Sequence, residues 1–131
     1  MLRNMNTADA ITFNIETMGD IKLSRSFRLS EFQCKDGTPL ILVHPALIVA
    51  LQIIRDRFGP ITINSAYRTE VHNKAIGGAV KSLHMSGLAA DIVAQGIRPS
   101  EVAKFAVELG MGGVHAYQSF THVDVGARRE W

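Results

Sequence analysis

The sequence predicts a single α+β domain in which a mainly antiparallel sheet is flanked by helices, and three features carry that expectation. Two stretches, opening at Pro45 and Pro99, place apolar residues at helical spacing. Short runs such as Ile61 to Asn64 alternate apolar and polar residues, as half-buried strands do. The chain ends on two strand-like runs, Val114 to Tyr117 and Thr121 to Val125, close enough in sequence to form a hairpin. Helices interspersed with short strands and closed by a hairpin describe an α+β domain.

In chain order, Met1 to Ala10 lack periodicity and read as a loose arm, which leaves residues 11–131 as the domain. Ile11, Phe13 and Ile15 alternate, Met18-Gly19-Asp20 offers a turn, and Ile21 and Leu23 resume, so a short hairpin is expected there. Ser30 and Gln33 have capping-box spacing, which predicts a brief helical turn from Ser30 that stops by Gly37 and is anchored by Phe32. Pro45 sits where a first helical turn favours proline, and Gly59-Pro60 ends the helix. Its stripe is Leu47, Ala50, Leu51, Ile54 and Phe58, widened by Ile48, Val49 and Ile53, so this helix should be mostly buried against a sheet. Strand parity from Ile61 and Ile63 puts Arg68 on the side of Thr62 and Asn64. Thr69 can cap a short helix through Lys74, broken by Gly77-Gly78. The helix after Pro99 carries Val102, Phe105, Ala106 and Leu109 and stops at Gly110. In the closing hairpin, a four-residue loop pairs Tyr117 with His122 and places His115 opposite Asp124.

Composition narrows the function classes. The 131 residues, 47% of them hydrophobic, suffice for one core without disulfide support. A net charge of +2, from 14 basic and 12 acidic residues, gives no nucleic-acid footprint, and Arg128 and Arg129 beside Glu130 read as a solvated tail. The longest apolar run, Pro45 to Leu51, is too short to span a bilayer. The polar N-terminus lacks a signal peptide's apolar core, so the chain is expected to be cytoplasmic as synthesised. Cys34 stands alone and reads as a buried thiol. The glycine-rich stretch before Ser82 has no Gly-Lys-Ser/Thr ending, which argues against nucleotide binding.

The chemistry concentrates in Ser82 to Asp91, SLHMSGLAAD, where His84 and Asp91 stand seven positions apart. Imidazole nitrogen and carboxylate oxygen both suit a borderline cation such as zinc, and a catalytic zinc takes three protein ligands plus water. Gly87 and the small Ala89 and Ala90 would let the chain turn after His84 and enter a buried strand that delivers Asp91. The alternating run THVDV puts His122 and Asp124 on one face, with His122 as the third ligand. On spacing alone, a structural role for such a His/Asp pair stands beside the metal reading.

Resemblance decides between them. SAYRT (Ser65 to Thr69), NKAIGGAVKSLHMSGLAADI (Asn73 to Ile92) and GGVHAYQSFTHVDV (Gly112 to Val125) together resemble the zinc D-Ala-D-Ala carboxypeptidase and L-alanoyl-D-glutamate endopeptidase family, phage-encoded members included. The motifs cover about half the chain and, more loosely, everything from Phe27 onward. The resemblance implies a hedgehog-like fold and one zinc held by His84, Asp91 and His122. It implies an open position for water and hydrolysis of stem or cross-link peptides of bacterial peptidoglycan, in the setting of phage or prophage lysis. Arg68, at the position of the carboxypeptidase branch's functional arginine, would stabilise the oxyanion or hold a substrate carboxylate through its planar fork. Its structural alternative is a loop cap or a pair with Glu70. Ser82 would touch substrate or tether its loop, and Tyr117 would contact substrate.

Endopeptidase members commonly carry an acidic residue three positions before the last zinc histidine, and Ser119 stands there in this chain. The role of base therefore passes first to Asp124 and second to His115. Asp124 has the alternative role of fixing the tautomer of a metal-bound histidine. A second functional class, a non-catalytic zinc-containing binding module, is open to the same fold.

Overall fold

The protein is described from a computed structural model over residues 10–127. Most of the expected arm, from Met1, and the tail of Arg128, Arg129 and Glu130 lie outside the described residues.

Four strands form the antiparallel sheet that carries the site: β3 (Ile61–Ser65), β4 (Ala89–Ala94), β5 (Gly113–Ala116) and β6 (Thr121–Asp124), in the spatial order β3-β4-β6-β5. A separate two-stranded antiparallel sheet pairs β1 (Ile11–Asn14) with β2 (Leu40–Val43). This combination of helices and antiparallel sheets is the α+β architecture expected from the sequence.

One face of the four-stranded sheet is apolar because strand residues alternate. Ile61, Ile63, Ala90, Ile92, Ala94 and Val123 all belong to one buried core. Two helices cover that face. Helix α2 (Pro45–Phe58) buries Ala46, Leu47, Ala50, Leu51 and Ile54 and packs on β4 and on α4 (Pro99–Glu108), which in turn lies against β5 and β6. Both helices begin at proline, as expected. His44 caps α2 by accepting the Ala46 N–H on Nδ1 at 3.0 Å. Thr121 Oγ1 donates to Pro99 O at 3.1 Å, tying the start of β6 to the start of α4.

Four local expectations are corrected. The hairpin expected between Ile11 to Ile15 and Ile21 to Leu23 does not form. Asn14 accepts from the N–H groups of Glu16 and Thr17, so a helical turn, α1 (Ile15–Met18), follows β1, and the run expected to return bridges through Lys22 to Arg28 instead. The partner of β1 is β2, a run the sequence reading passed over. The turn expected from Ser30 starts one residue earlier, over Leu29–Phe32. Glu31 Oε2 accepts from Arg28 N at 2.7 Å, while Ser30 is bound through both its N–H and hydroxyl to Asp20. Phe32 anchors this turn with no exposure at all. The strand parity drawn through to Arg68 is interrupted, because β3 ends at Ser65 with a register irregularity between Ile63 and Ser65, yet Arg68 still reaches the face away from the isoleucines, where it meets Asp91.

The fourth correction concerns the closing hairpin. It does form, but Tyr117 N donates to Phe120 O at 2.8 Å, so the chain reverses over Gln118 and Ser119. The register is therefore His115 with His122 and Gly113 with Asp124, instead of Tyr117 with His122 and His115 with Asp124. A shift of two residues preserves strand parity, so His115, His122 and Asp124 still share one face.

Candidate metal centre

The face of the sheet turned away from the two helices carries a row of polar side chains. Ser65, Asp91, His122 and His115 are successive register partners across β3, β4, β6 and β5, one residue from each strand. Directly opposed residues in a sheet lie close enough for their side chains to touch. Here Asp91 Oδ1 lies 3.1 Å from His122 Nδ1.

His84 reaches the same point from a loop. Ser82 Oγ accepts the His84 N–H at 3.2 Å and starts a 3-10 turn, Leu83–Ser86. Gly87 then takes a left-handed conformation (φ 75°), which glycine adopts without penalty. A β-carbon there would sit 2.6 Å from the carbonyl oxygen of Leu42, so β2 also demands glycine. The chain turns at Gly87 and runs into β4, as the small residues predict. His84 is left 3% exposed, with Nε2 3.3 Å from Asp91 Oδ1.

The outer nitrogens of both histidines are committed. His84 Nδ1 donates to the Ala66 carbonyl at 2.7 Å, and His122 Nε2 donates to Asp124 Oδ2 at 2.8 Å. Those bonds direct His84 Nε2 and His122 Nδ1 at one carboxylate oxygen, and the donor atoms of His84, Asp91 and His122 lie within 4.8 Å of one another. Burial works against a charged Asp91, yet hydrogen bonds from His122 and His84 outweigh it and hold its carboxyl below the usual carboxylate range. Burial likewise opposes a charged His122, but its bonds to Asp124 and Asp91 prevail and raise its pKa. Two imidazoles and one anionic carboxylate, with both outer nitrogens anchored, fit a borderline divalent cation.

Arg68 is bound into this centre. Its backbone N–H donates to His84 O at 3.1 Å. Of its side-chain nitrogens, Nε donates to Ser65 Oγ (3.1 Å), Nη1 to Asn73 Oδ1 (3.3 Å) and Nη2 to Asp91 Oδ2 (3.4 Å). Its acidic partner is thus Asp91 and not Glu70. Ser65 and Asn73 lay inside the quoted motifs, but lone polar residues in a strand end and a short helix carry no periodic signal. Asn73, on α3 (Glu70–Ala75), also donates through Nδ2 to Ala79 O at 2.8 Å. Gly78 packs so closely on it that a β-carbon would overlap Asn73 Oδ1.

An open cavity of about 690 Å³ lies over the centre, lined among others by Arg68, Ser82, His84, Asp91, Tyr117 and His122. Ser82 both lines it and caps the His84 turn, so the tethering role is realised. Tyr117 is 42% exposed and stacks on Phe120, another lining residue, at 4.6 Å. His115 meets the Tyr117 ring edge-on at 4.5 Å. Asp124 has no exposure, with Oδ2 on His122 and Oδ1 accepting from Gly126 N at 3.1 Å.

Residues 23–124 match the Peptidase M15 family. The chain belongs to that family. M15 membership agrees with the carboxypeptidase and endopeptidase resemblance of the motifs. The chain is also 32% identical over 99 residues to the peptidoglycan L,D-endopeptidase MepK of Escherichia coli (strain K12), covering 68% of this chain and 54% of that protein. The same figures hold for MepK of Shigella flexneri. This M15 chain therefore spans about half the length of the curated relatives it matches.

Proposed function

We propose that this chain is a zinc-dependent peptidase hydrolysing peptide bonds in the stem or cross-link peptides of bacterial peptidoglycan. The observation that carries the reading is the convergence of His84 Nε2 and His122 Nδ1 on Asp91 Oδ1 beneath an open cavity, in a chain of the M15 family. A purely structural zinc is closed in by four protein ligands, whereas three ligands and an open side are the arrangement catalysis needs. That contrast favours a peptidase over a non-catalytic binding module.

His84, Asp91 and His122 would hold the ion. When bound, zinc supplies Lewis acidity, polarising the scissile carbonyl and acidifying a water. Arg68, fixed beside Asp91, donates its remaining N–H groups to the charge that develops on the carbonyl oxygen. Asp124 keeps His122 in the tautomer that leaves Nδ1 for the ion, and so acts as a positioning residue. His115, across the sheet from His122 and one ring contact from the cavity wall, is the candidate for proton transfer to the leaving amine. Ser82 and Tyr117 contact the peptide. A phage or prophage lysis role, with action on the wall after release from the cytoplasm, is the setting proposed for this activity.

The test is to digest purified peptidoglycan with zinc-loaded protein and identify the fragments by mass spectrometry. New peptide fragments that vanish with His84→Ala are expected, and their masses separate carboxypeptidase from endopeptidase cleavage. Stoichiometric zinc with an undigested wall would overturn the catalytic reading in favour of the binding module.

A further inference from the structure

Arg68 and Lys81 both line the cavity, and they are held very differently. Each side-chain nitrogen of Arg68 already has an acceptor within the protein, on Ser65, Asn73 or Asp91. Lys81 is exposed, and among the described residues no carboxylate lines the cavity except Asp91, which Arg68 and two histidines surround. The backbone beside Lys81 is nevertheless fixed. Ser82 N donates to Ala79 O at 3.1 Å, and the Ser82 hydroxyl caps the His84 turn. The ammonium group is thus an exposed cation on an anchored stem, three residues before His84 in sequence.

Charge balance points the same way. Arg68 and Lys81 offset the carboxylates of Asp91 and Asp124, so a divalent ion would leave the cavity positive. A positive cavity in a low-dielectric wall concentrates anionic ligands. The cavity is also lined by the stacked pair Tyr117 and Phe120, which offers apolar surface to an uncharged part of the ligand.

We propose that Lys81 is a specificity-determining residue, receiving a free carboxylate of the substrate peptide next to the scissile bond. This rests on the peptidase reading above. Arg68, committed to Asp91 and its neighbours, serves the reacting carbonyl, and Lys81 serves the flanking anion.

The experiment uses two synthetic peptides that differ only in a carboxylate or a carboxamide beside the cleaved bond. Zinc-loaded wild type is expected to show a KM lower for the acid form by about fivefold, the size of an exposed ion pair. Lys81→Gln should abolish that gap by raising KM for the acid peptide, Lys81→Glu should invert it, and Lys81→Arg should restore it. Added salt should narrow the gap in wild type. A gap that persists in Lys81→Gln, or that is missing in wild type, overturns the proposal. If neither peptide is cut, the peptidase reading fails on its own. Equilibrium binding of the same two peptides then decides Lys81, and equal preference in wild type and Lys81→Gln rejects it.

Discussion

The two halves of the candidate metal centre are built on different physics. Asp91 and His122 are register partners in a regular ladder, so the pleat of the sheet aims both side chains. His84 comes from a four-residue turn, aimed by a serine cap, a carbonyl acceptor and a left-handed glycine pressed against β2. The sheet half is secured by many cooperative backbone bonds, the loop half by a few individual contacts. Substitutions near the loop should therefore disturb the centre while leaving the fold intact, whereas the sheet half should fail only when a candidate ligand, or the carboxylate bonded to one, is changed.

Removing a ligand should have the largest effect. His84→Ala, Asp91→Ala and His122→Ala should each lose stoichiometric zinc in elemental analysis and fall to background hydrolysis. Chelation should lower the melting temperature of wild type and not of these variants. A ligand at a hundredfold excess over its Kd stabilises by about 2.7 kcal/mol.

Gly87→Ala probes the loop half. A non-glycine residue in the left-handed region costs roughly 1–2 kcal/mol, and the overlap with the Leu42 carbonyl adds to it. Gly96→Ala is the control, since Gly96 also has a positive φ (78°) with nothing within 4 Å of the added carbon. Thermal denaturation should show the larger loss at Gly87, and zinc titration should weaken only there. Asp124→Asn comes next, with zinc affinity about 10- to 100-fold lower, the usual effect of changing a partner of a metal-bound histidine.

The sequence disclosed the sheet half and the loop half unequally. His122 and Asp124 were legible because alternation fixes the face, and both long helices because Pro45 and Pro99 open them and Gly59 and Gly110 close them. Hairpin register was not legible. Nothing in Tyr117 to Phe120 distinguishes a two-residue reversal from a four-residue loop until the bond from Tyr117 to Phe120 is seen. The β1–β2 pairing was hidden because its strands stand 25 residues apart across a segment of turns. The Arg68 network was hidden for another reason: Asn73 reaches Arg68 only because Gly78 leaves room, which spacing cannot reveal.

That network gives a smaller effect that separates positioning from metal binding. Gly78→Ala should displace Asn73 and let Arg68 swing, lowering kcat about ten- to a hundredfold, as a misplaced catalytic group does. Zinc content should hold. Loss of zinc in parallel with activity would place Gly78 with the metal loop instead. Smallest of all is an acid-range effect at the start of α3. Asp36 accepts from Thr38 N at 2.9 Å and from Thr69 Oγ1 at 2.7 Å, and these bonds hold its carboxyl below the usual carboxylate range. A depressed folded-state pKa stabilises above the unfolded value. The melting-temperature deficit of Asp36→Asn should be complete at neutral pH, shrink below about pH 4 and vanish once Asp36 itself is protonated.

The row formed by Ser65, Asp91, His122 and His115 constrains how the gene can change in length. One codon inserted within β6 before His122 would exchange the two faces of the strand, turning the His122 imidazole into the apolar core and an apolar residue towards the cavity. Codons added at Gln118 or Ser119, outside the paired positions, leave the row unbroken, because β6 takes its register from β4 on its other side. Length variation among descendants of this chain should accumulate at that reversal, the part of the hairpin where the cavity wall can be remodelled without moving a ligand.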